Sequence, residues 1–127
     1  MFANTKAYSS FAVDDVQKAR RFYGDVLGLD VSVLDEEHGL LSIRLAGDRD
    51  TLVYQKPDFT PATYTILNFQ VDDVDGAVDR LAARGVRFER YEGFDQDDKG
   101  IARGGDGPEI AWFKDPAGNI LSVLQLD

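Results

Sequence analysis

The sequence predicts an α+β fold built from two tandem βαβββ modules, and an internal repeat is the main reason. Residues 69–77 repeat residues 11–19 with six of nine positions identical. In both copies an alternating, strand-like segment leads through two aspartates into a helical pattern that stops at a glycine. Self-similarity over so long a period indicates a duplicated unit that cannot bury its apolar face alone. We therefore expect two similar modules within one domain.

The first module opens with a strand predicted over residues 5–13, because alternate side chains fall on opposite faces. Asp14 is predicted as the helix N-cap, with Gln17 three residues on as in a capping box. An apolar stripe with helical spacing follows, and Gly28 suits the left-handed position that ends a helix. The stripe consists of Val16, Ala19, Phe22, Tyr23, Val26 and Leu27.

Three more strands complete the first module, which we place at residues 1–56. They are predicted at residues 29–34, 40–46 and 51–56, with a turn at 35–39. Residues 57–63 contain two prolines and small polar residues, so they are predicted as the linker.

The second module, residues 64–127, repeats this order. Its strand is predicted at residues 64–71, its helix begins at an Asp72 cap and ends at Gly85, and a further strand covers 86–92. The last hairpin pairs residues 109–114 with 120–126 around the turn Asp115-Pro116-Ala117-Gly118-Asn119.

Residues 93–108 have no counterpart in the first module. They contain five glycines, four aspartates and few apolar side chains. Long segments without an element of their own are often lids or binding loops. A solvated crossing is the equally weighted alternative.

Composition limits the classes of partner. The formal net charge of −9 and the scattered basic residues argue against a nucleic-acid or anionic membrane surface. The absence of cysteine excludes disulfides, thiolate metal ligands and a cysteine nucleophile. No stretch approaches the ~20 apolar residues of a membrane span, so a cytoplasmic location is the expectation.

Several motifs resemble the vicinal oxygen chelate superfamily, which includes glyoxalase I, bleomycin-resistance proteins, fosfomycin-resistance proteins and extradiol dioxygenases. They are Val13-Asp14-Asp15-Val16, Arg21-Phe22-Tyr23, Val26-Leu27-Gly28-Leu29 and the run Trp112-Phe113-Lys114-Asp115-Pro116-Ala117-Gly118-Asn119. The resemblance covers nearly the whole chain as a single domain, residues 1–127. It implies mixed sheets that curl around a cleft between the modules, and a homodimer.

The same resemblance implies where a divalent metal would be held, usually by histidine and glutamate. The matching positions here are Tyr8, Ile66, Ser122 and, depending on register, Leu52 or Tyr54. None of these side chains suits a divalent cation. The only histidine, His38, falls in a predicted turn. We therefore expect neither metal nor other cofactor, and no catalytic residue is assigned.

Strand parity predicts which side chains face the cleft, and they are mainly aromatic, amide and hydroxyl groups. Such groups stack on flat ligands and fix their orientation by hydrogen bonds. Filling of a collapsed cleft by these side chains is the alternative reading. In the long loop, Arg103 could pair with an anionic ligand group. The predicted ligand-binding set is Tyr8, Ser10, Tyr54, Asn68, Gln70, Trp112, Ser122 and Arg103.

Three functions compete on this evidence. The first is a metal-free protein that binds or sequesters a small organic molecule, as the bleomycin-resistance branch does. The second is a lyase or isomerase of glyoxalase type that uses an atypical site. The third is a structural or regulatory module with a filled cleft. Whether the chain is an enzyme stays open, because the family's enzymes depend on a metal and the ligand positions here argue against one.

Overall fold

The computed structural model describes residues 1–105 and 107–126. Two units, Met1–Thr60 and Pro61–Asp127, each combine a mixed sheet with helical segments, which confirms the predicted α+β class. The boundary between the units lies in the segment predicted as a linker. In the described part of the chain, no helix is long and apolar enough to cross a membrane.

The first unit contains a four-stranded sheet with the strand order β1-β4-β3-β2. Strands β1 and β4 are parallel, and the other neighbouring pairs are antiparallel. The elements are β1 (Ser9–Val13), α1 (Val16–Arg21), a π-helical turn (Phe22–Val26), β2 (Asp30–Asp35), β3 (Leu40–Leu45) and β4 (Arg49–Gln55).

The second unit contains a three-stranded sheet with the order β5-β7-β6, again with one parallel pair, β5 with β7. Its elements are β5 (Thr65–Gln70), α2 (Val74–Ala83), β6 (Glu109–Lys114) and β7 (Ile120–Gln125). Both units thus place the strand that precedes the helix parallel to the last strand of the same unit.

The helix starts differ from the prediction by one residue in both units. The N-caps are Asp15 and Asp73 rather than Asp14 and Asp72. The Asp15 carboxylate accepts the backbone N–H groups of Gln17 and Lys18, and that of Asp73 accepts the N–H of Gly76. In each Asp-Asp pair only the second residue can reach the free N–H groups of the first turn.

A glutamine at the end of the last strand supports each helix start. The Gln55 Oε1 atom accepts the Val16 N–H at 3.1 Å, and the Gln125 Oε1 atom accepts the Val74 N–H at 2.9 Å. Both acceptors satisfy an N–H group that the first helical turn cannot pair. The duplication therefore extends to a side chain that ties helix to sheet.

The helices bury one face of each sheet. In the first unit, Val13, Val53, Ile43 and Tyr23 are at most 1% exposed. Helix α2 of the second unit contributes Val74, Ala77 and Val78 to a core that also contains the buried side chains Ala111, Phe113, Leu121 and Val123. The opposite face of each sheet carries more polar side chains, among them Ser10 in the first unit and Asn68 and Gln70 in the second, all three exposed.

The strand predicted over residues 86–92 is wrong as a strand. In the described backbone, an isolated bridge from Phe88 to Phe113 and a hydrogen bond from the Glu89 N–H to the Trp112 carbonyl at 2.8 Å join this segment to β6 in place of a continuous ladder. The Gln96 side chain takes the place of further ladder bonds. It accepts the Tyr91 N–H at 2.8 Å and donates to the Glu89 carbonyl at 2.9 Å.

Candidate functional site

A row of three side chains crosses the open face of the second sheet. Ser122 is paired in register with Asn68 on one side and with Trp112 on the other. The Ser122 hydroxyl, fully buried, donates to the Asn68 Oδ1 atom at 2.6 Å. This bond fixes the Asn68 amide through its oxygen, and Asn68 is exposed. The row therefore offers a fixed amide donor beside a large aromatic ring.

Gln70 lies further along the same face, where it is paired with Leu124. Its side chain is exposed. Four of the predicted ligand-binding residues, Asn68, Gln70, Trp112 and Ser122, are thus brought together on one sheet face, as strand parity indicated.

Of the three predicted residues in the first unit, Ser10 corresponds to Asn68 in the repeat. Tyr8 precedes β1 and is 74% exposed. Ser10, paired with Leu52, is exposed, and Tyr54 on β4 is half-buried. None of the three carries a hydrogen-bonding arrangement comparable with that of Asn68 and Ser122.

Two aromatic rings that the sequence analysis did not single out contact Trp112. The Tyr91 ring lies edge-on at 5.5 Å between centroids, and the Phe94 ring is tilted at 4.9 Å. Trp112 is only 9% exposed, whereas Phe94 is 54% exposed. Phe94 therefore extends the aromatic surface of the row to solvent.

The hydroxyl of Tyr91 is buried and has no hydrogen-bond partner among the described residues. Burial, assisted by the nearby Glu89 carboxylate, raises the pKa of Tyr91. A neutral phenol in this position packs against Trp112 as a ring. It is not prepared to act as a base or as an anionic metal ligand.

A cavity of about 450 Å³ opens beside Phe94 and Ile110. Ile110 lies two residues before Trp112 on β6, so both side chains project from the same sheet face. Small-molecule sites usually enclose about 300–1,000 Å³. The described lining is Gly93, Phe94, Asp95, Ala102, Arg103, Gly104, Gly105, Gly107, Pro108 and Ile110.

The described part of the long loop is tied down by its own polar groups. The Asp97 carboxylate accepts the N–H groups of Lys99 and Ile101 at 2.9 Å each. Ile101 is fully buried, and Ala102 forms a bridge to Ile110. Asp97 and Ile101 thus anchor the middle of the segment, while cavity-lining residues on either side, such as Phe94 and Gly104, are exposed. A segment anchored in this way is neither a purely solvated crossing nor an unattached lid.

Arg103 lines the cavity, and its guanidinium pairs with three carboxylates. Its three nitrogens lie 2.7 Å from Asp75, 3.0 Å from Asp97 and 2.6 Å from Glu109. Because a carboxylate already accepts from each nitrogen, this geometry adds nothing to the prediction that Arg103 receives an anionic ligand group, and it stays a prediction. We therefore leave Arg103 out of the proposed ligand contacts.

These ion pairs help to lower the pKa values of two carboxyl groups. The hydrogen bond from Arg103 lowers the pKa of Asp75. Burial opposes ionisation of Asp97, but bonds from the Ile101 N–H and from Arg103 outweigh it, so the pKa of Asp97 is also lowered. In their ionised form, both carboxylates therefore stabilise the folded conformation of the loop relative to the unfolded chain.

Acidification is expected to destabilise this attachment. The folded-state pKa values of Asp75 and Asp97 lie below the ordinary value of 3.8. At pH values between the folded-state and the ordinary pKa, the unfolded chain therefore binds more protons than the folded protein. The stabilisation is complete well above pH 3.8 and is lost as the pH falls through the lower folded values. Urea unfolding measured against pH should show this loss, with a smaller loss in Arg103→Gln. Equal losses in both proteins would contradict the assignment.

The residues at the expected metal positions do not fit a divalent cation. Leu52 and Ile66 have no donor atom, and the Ser122 hydroxyl is engaged with Asn68. His38 lies in the turn between β2 and β3, where its Nδ1 atom is 2.8 Å from Asp35 Oδ2. Among the described residues, no group of three or more histidine or acidic side chains could hold a metal ion.

The family comparison and the solved structures agree on one relationship. The sequence model of the Glyoxalase/Bleomycin resistance protein/Dioxygenase superfamily matches residues 7–123. This confirms the resemblance inferred from the helix and turn motifs. No curated protein sequence matches the chain.

Three solved structures illustrate the similarity. TnmS3, an antibiotic binding protein from Streptomyces sp. CB03234, is 25% identical, with 98% of each chain covered and a TM-score of 0.71. A glyoxalase/bleomycin resistance protein from the same strain is 26% identical, covering 94% of this chain and 100% of that one, with a TM-score of 0.63. A lactoylglutathione lyase from Agrobacterium tumefaciens is 23% identical, covering 97% and 95%, with a TM-score of 0.69, and shows the fold alone.

Proposed function

Because the chain belongs to the Glyoxalase/Bleomycin resistance protein/Dioxygenase superfamily, we propose that it binds and sequesters a small organic molecule without a metal ion. The observation that carries the proposal is the row Asn68, Ser122 and Trp112. At a position where the family resemblance implies a metal ligand, Ser122 instead orients an exposed amide. The site therefore has the means to bind and orient a molecule and lacks groups for metal chemistry.

The surroundings of the row support binding over catalysis. Trp112 and Phe94 supply aromatic surface, and a cavity of about 450 Å³ adjoins Phe94. TnmS3, with 25% identity over 98% of both chains, is an antibiotic binding protein. In our proposal the protein acts in the cytoplasm as a homodimer, and light scattering of the purified protein measures the dimer directly.

The two alternatives have less support. A lyase or isomerase of glyoxalase type needs an acid, a base or a metal, whereas the amide, hydroxyl and indole groups of the row supply neither an acid nor a base near neutral pH. A module with a filled cleft needs no neighbouring cavity, whereas about 450 Å³ is open next to Phe94, whose ring contacts Trp112 of the row.

Thermal unfolding in the presence of a chelator tests the proposal. A panel of aromatic, peptide and glycopeptide compounds should contain some that raise Tm, because a ligand at 100 times its Kd adds about 2.7 kcal/mol of stability. Asn68→Ala should reduce the shift, since it removes the oriented amide. Asn4→Ala, which changes an exposed asparagine outside both sheets, should leave it intact.

Two results would overturn the proposal. One is a panel in which no compound of any class raises Tm. The other is a Tm rise that occurs only after a divalent metal has been added to the chelator-treated protein.

A further inference from the structure

We infer that the ligand is a flat aromatic molecule, neutral or cationic rather than anionic, which stacks on Phe94 in the cavity beside β6. The inference rests on the proposed function and names the chemical class that its site accepts. Three features of the second unit carry it: the exposed aromatic ring, the glycine-lined wall and the balance of charge around the cavity.

The ring of Phe94 is supported from behind and open in front. It packs on Trp112 with a centroid distance of 4.9 Å and an interplanar angle of 57°. Trp112 is in turn packed against Tyr91. An aromatic side chain that is 54% exposed yet held by a buried ring loses little entropy when a flat ligand stacks on it.

Glycine backbone forms much of the cavity wall. Gly93 and Gly104 have positive φ angles of 88° and 85°, a conformation that favours glycine. A Cβ atom built on Gly93 or Gly104 would meet no atom within 4 Å, and one built on Gly105 would meet only backbone at 3.9 Å. At these three glycines the wall carries no side chain, so their peptide groups can approach a flat ligand closely, beside the side chains of Phe94, Asp95 and Ile110.

The charges near the cavity favour a cation over an anion. Arg103, the only cationic lining residue among those described, is held by Asp75, Asp97 and Glu109. Lys99 is likewise paired with Asp75 and Asp79. Carboxylates thus outnumber cations in this network, and the Asp95 carboxylate adds another negative charge to the lining.

The aromatic rings at the cavity and the net charge of the whole chain also favour a cationic ligand over an anionic one. Aromatic faces attract cations through their negative π surface. A formal net charge of −9 also raises the local concentration of cationic molecules and repels anionic ones. Ring stacking and electrostatics therefore select the same class of ligand.

Fluorescence of the only tryptophan, Trp112, provides the readout. Four probes separate shape from charge: proflavine is a flat cation, anthracene methanol is flat and neutral, anthracene carboxylate is a flat anion, and adamantyl ammonium is a cation without a flat face. We expect proflavine to bind at least about tenfold more tightly than either anthracene carboxylate or adamantyl ammonium, with anthracene methanol in between.

Two variants test the residues. Phe94→Ala should weaken proflavine binding about tenfold, the usual effect of losing one stacking ring. Asp95→Asn should weaken it about twofold, as expected for one exposed charge. Phe2→Ala removes a ring that is 74% exposed elsewhere in the chain and serves as the matched control, with no change expected.

The outcomes separate this inference from the proposed function. Unchanged proflavine affinity in Phe94→Ala, or tighter binding of the anionic probe, would overturn the inference. If another compound still raised Tm in the chelator-treated protein, the proposed function would stand even though the inference about the ligand class had failed. If no compound of any class bound, the proposed function itself would fail.

Discussion

Replacing Tyr23 with alanine should lower the free energy of unfolding by about 3–5 kcal/mol, as truncation of a buried aromatic side chain usually does. Tyr23 is fully buried where α1 passes into the π-helical turn. Its ring contacts Phe11 at 5.6 Å and Phe22 at 5.2 Å between centroids. The substitution would leave a cavity between helix and sheet that the rigid β-strands cannot fill.

Urea unfolding followed by far-ultraviolet circular dichroism measures this loss. Tyr23→Phe retains the ring and should cost about 1 kcal/mol or less. Tyr64→Ala removes a tyrosine ring that is 69% exposed and should change stability by no more than about 0.5 kcal/mol. A Tyr23→Ala protein as stable as the Tyr64→Ala protein would contradict the packing described here.

Replacing Asp115 with alanine is expected to cost roughly 3 kcal/mol, because it leaves two buried donors of Asn119 without their acceptor. The Asp115 carboxylate, 4% exposed, accepts the Asn119 N–H at 2.8 Å and the Asn119 Nδ2 at 3.1 Å. Asn119 in turn accepts the Ala62 N–H through its Oδ1 atom at 3.1 Å. The Asp115 carboxylate therefore orders the turn between β6 and β7 directly, and through Asn119 it also holds Ala62 near the start of the second unit.

Asp115→Asn is the matched control, since its amide oxygen can still accept the Asn119 N–H. We expect it to retain about half of the stability that Asp115→Ala loses, measured by the same urea titration. Equal losses in the two variants would show that the negative charge, and not the pair of accepted bonds, stabilises the turn.

The internal repeat predicted what depends on local periodicity. Alternation in residues 9–13 and 67–70 correctly separated the two faces of each sheet, because side-chain direction in a strand has a period of two residues. A register irregularity between Thr65 and Leu67 interrupts the pattern at the start of β5. Gly28 and Gly85 do adopt the positive φ angles that their positions after the helices predicted, 73° and 91°.

The periodicity was less informative wherever a side chain satisfies backbone groups in place of a neighbouring strand. Residues 86–92 have a strand-like composition, but Gln96 satisfies the backbone groups that a neighbouring strand would have bonded. The passage from α1 into a π-helical turn, marked by the bond from the Leu27 N–H to the Phe22 carbonyl, has no simple sequence signature.

The sequence predicted only part of the candidate site, because strand alternation indicates which face a side chain lies on but not which residues of other segments it contacts. Asn68, Ser122 and Trp112 follow from strand parity once the strands are placed. The partners of Arg103 do not, because Asp75 is far away in sequence and only the folded loop brings it within 2.7 Å. Tyr91 and Phe94 could have been noticed as aromatic residues at three-residue spacing just before the glycine-rich segment.

The central claim is that aromatic and amide side chains bind an organic ligand here without help from a metal. Isothermal titration of a compound selected by thermal shift tests it most directly, with the protein first stripped by a chelator and then supplied with Ni²⁺, Zn²⁺ or Mn²⁺. We expect one Kd under all conditions and weaker binding by Asn68→Ala in each. Binding that is absent from the stripped protein and restored by one of these ions would contradict the claim.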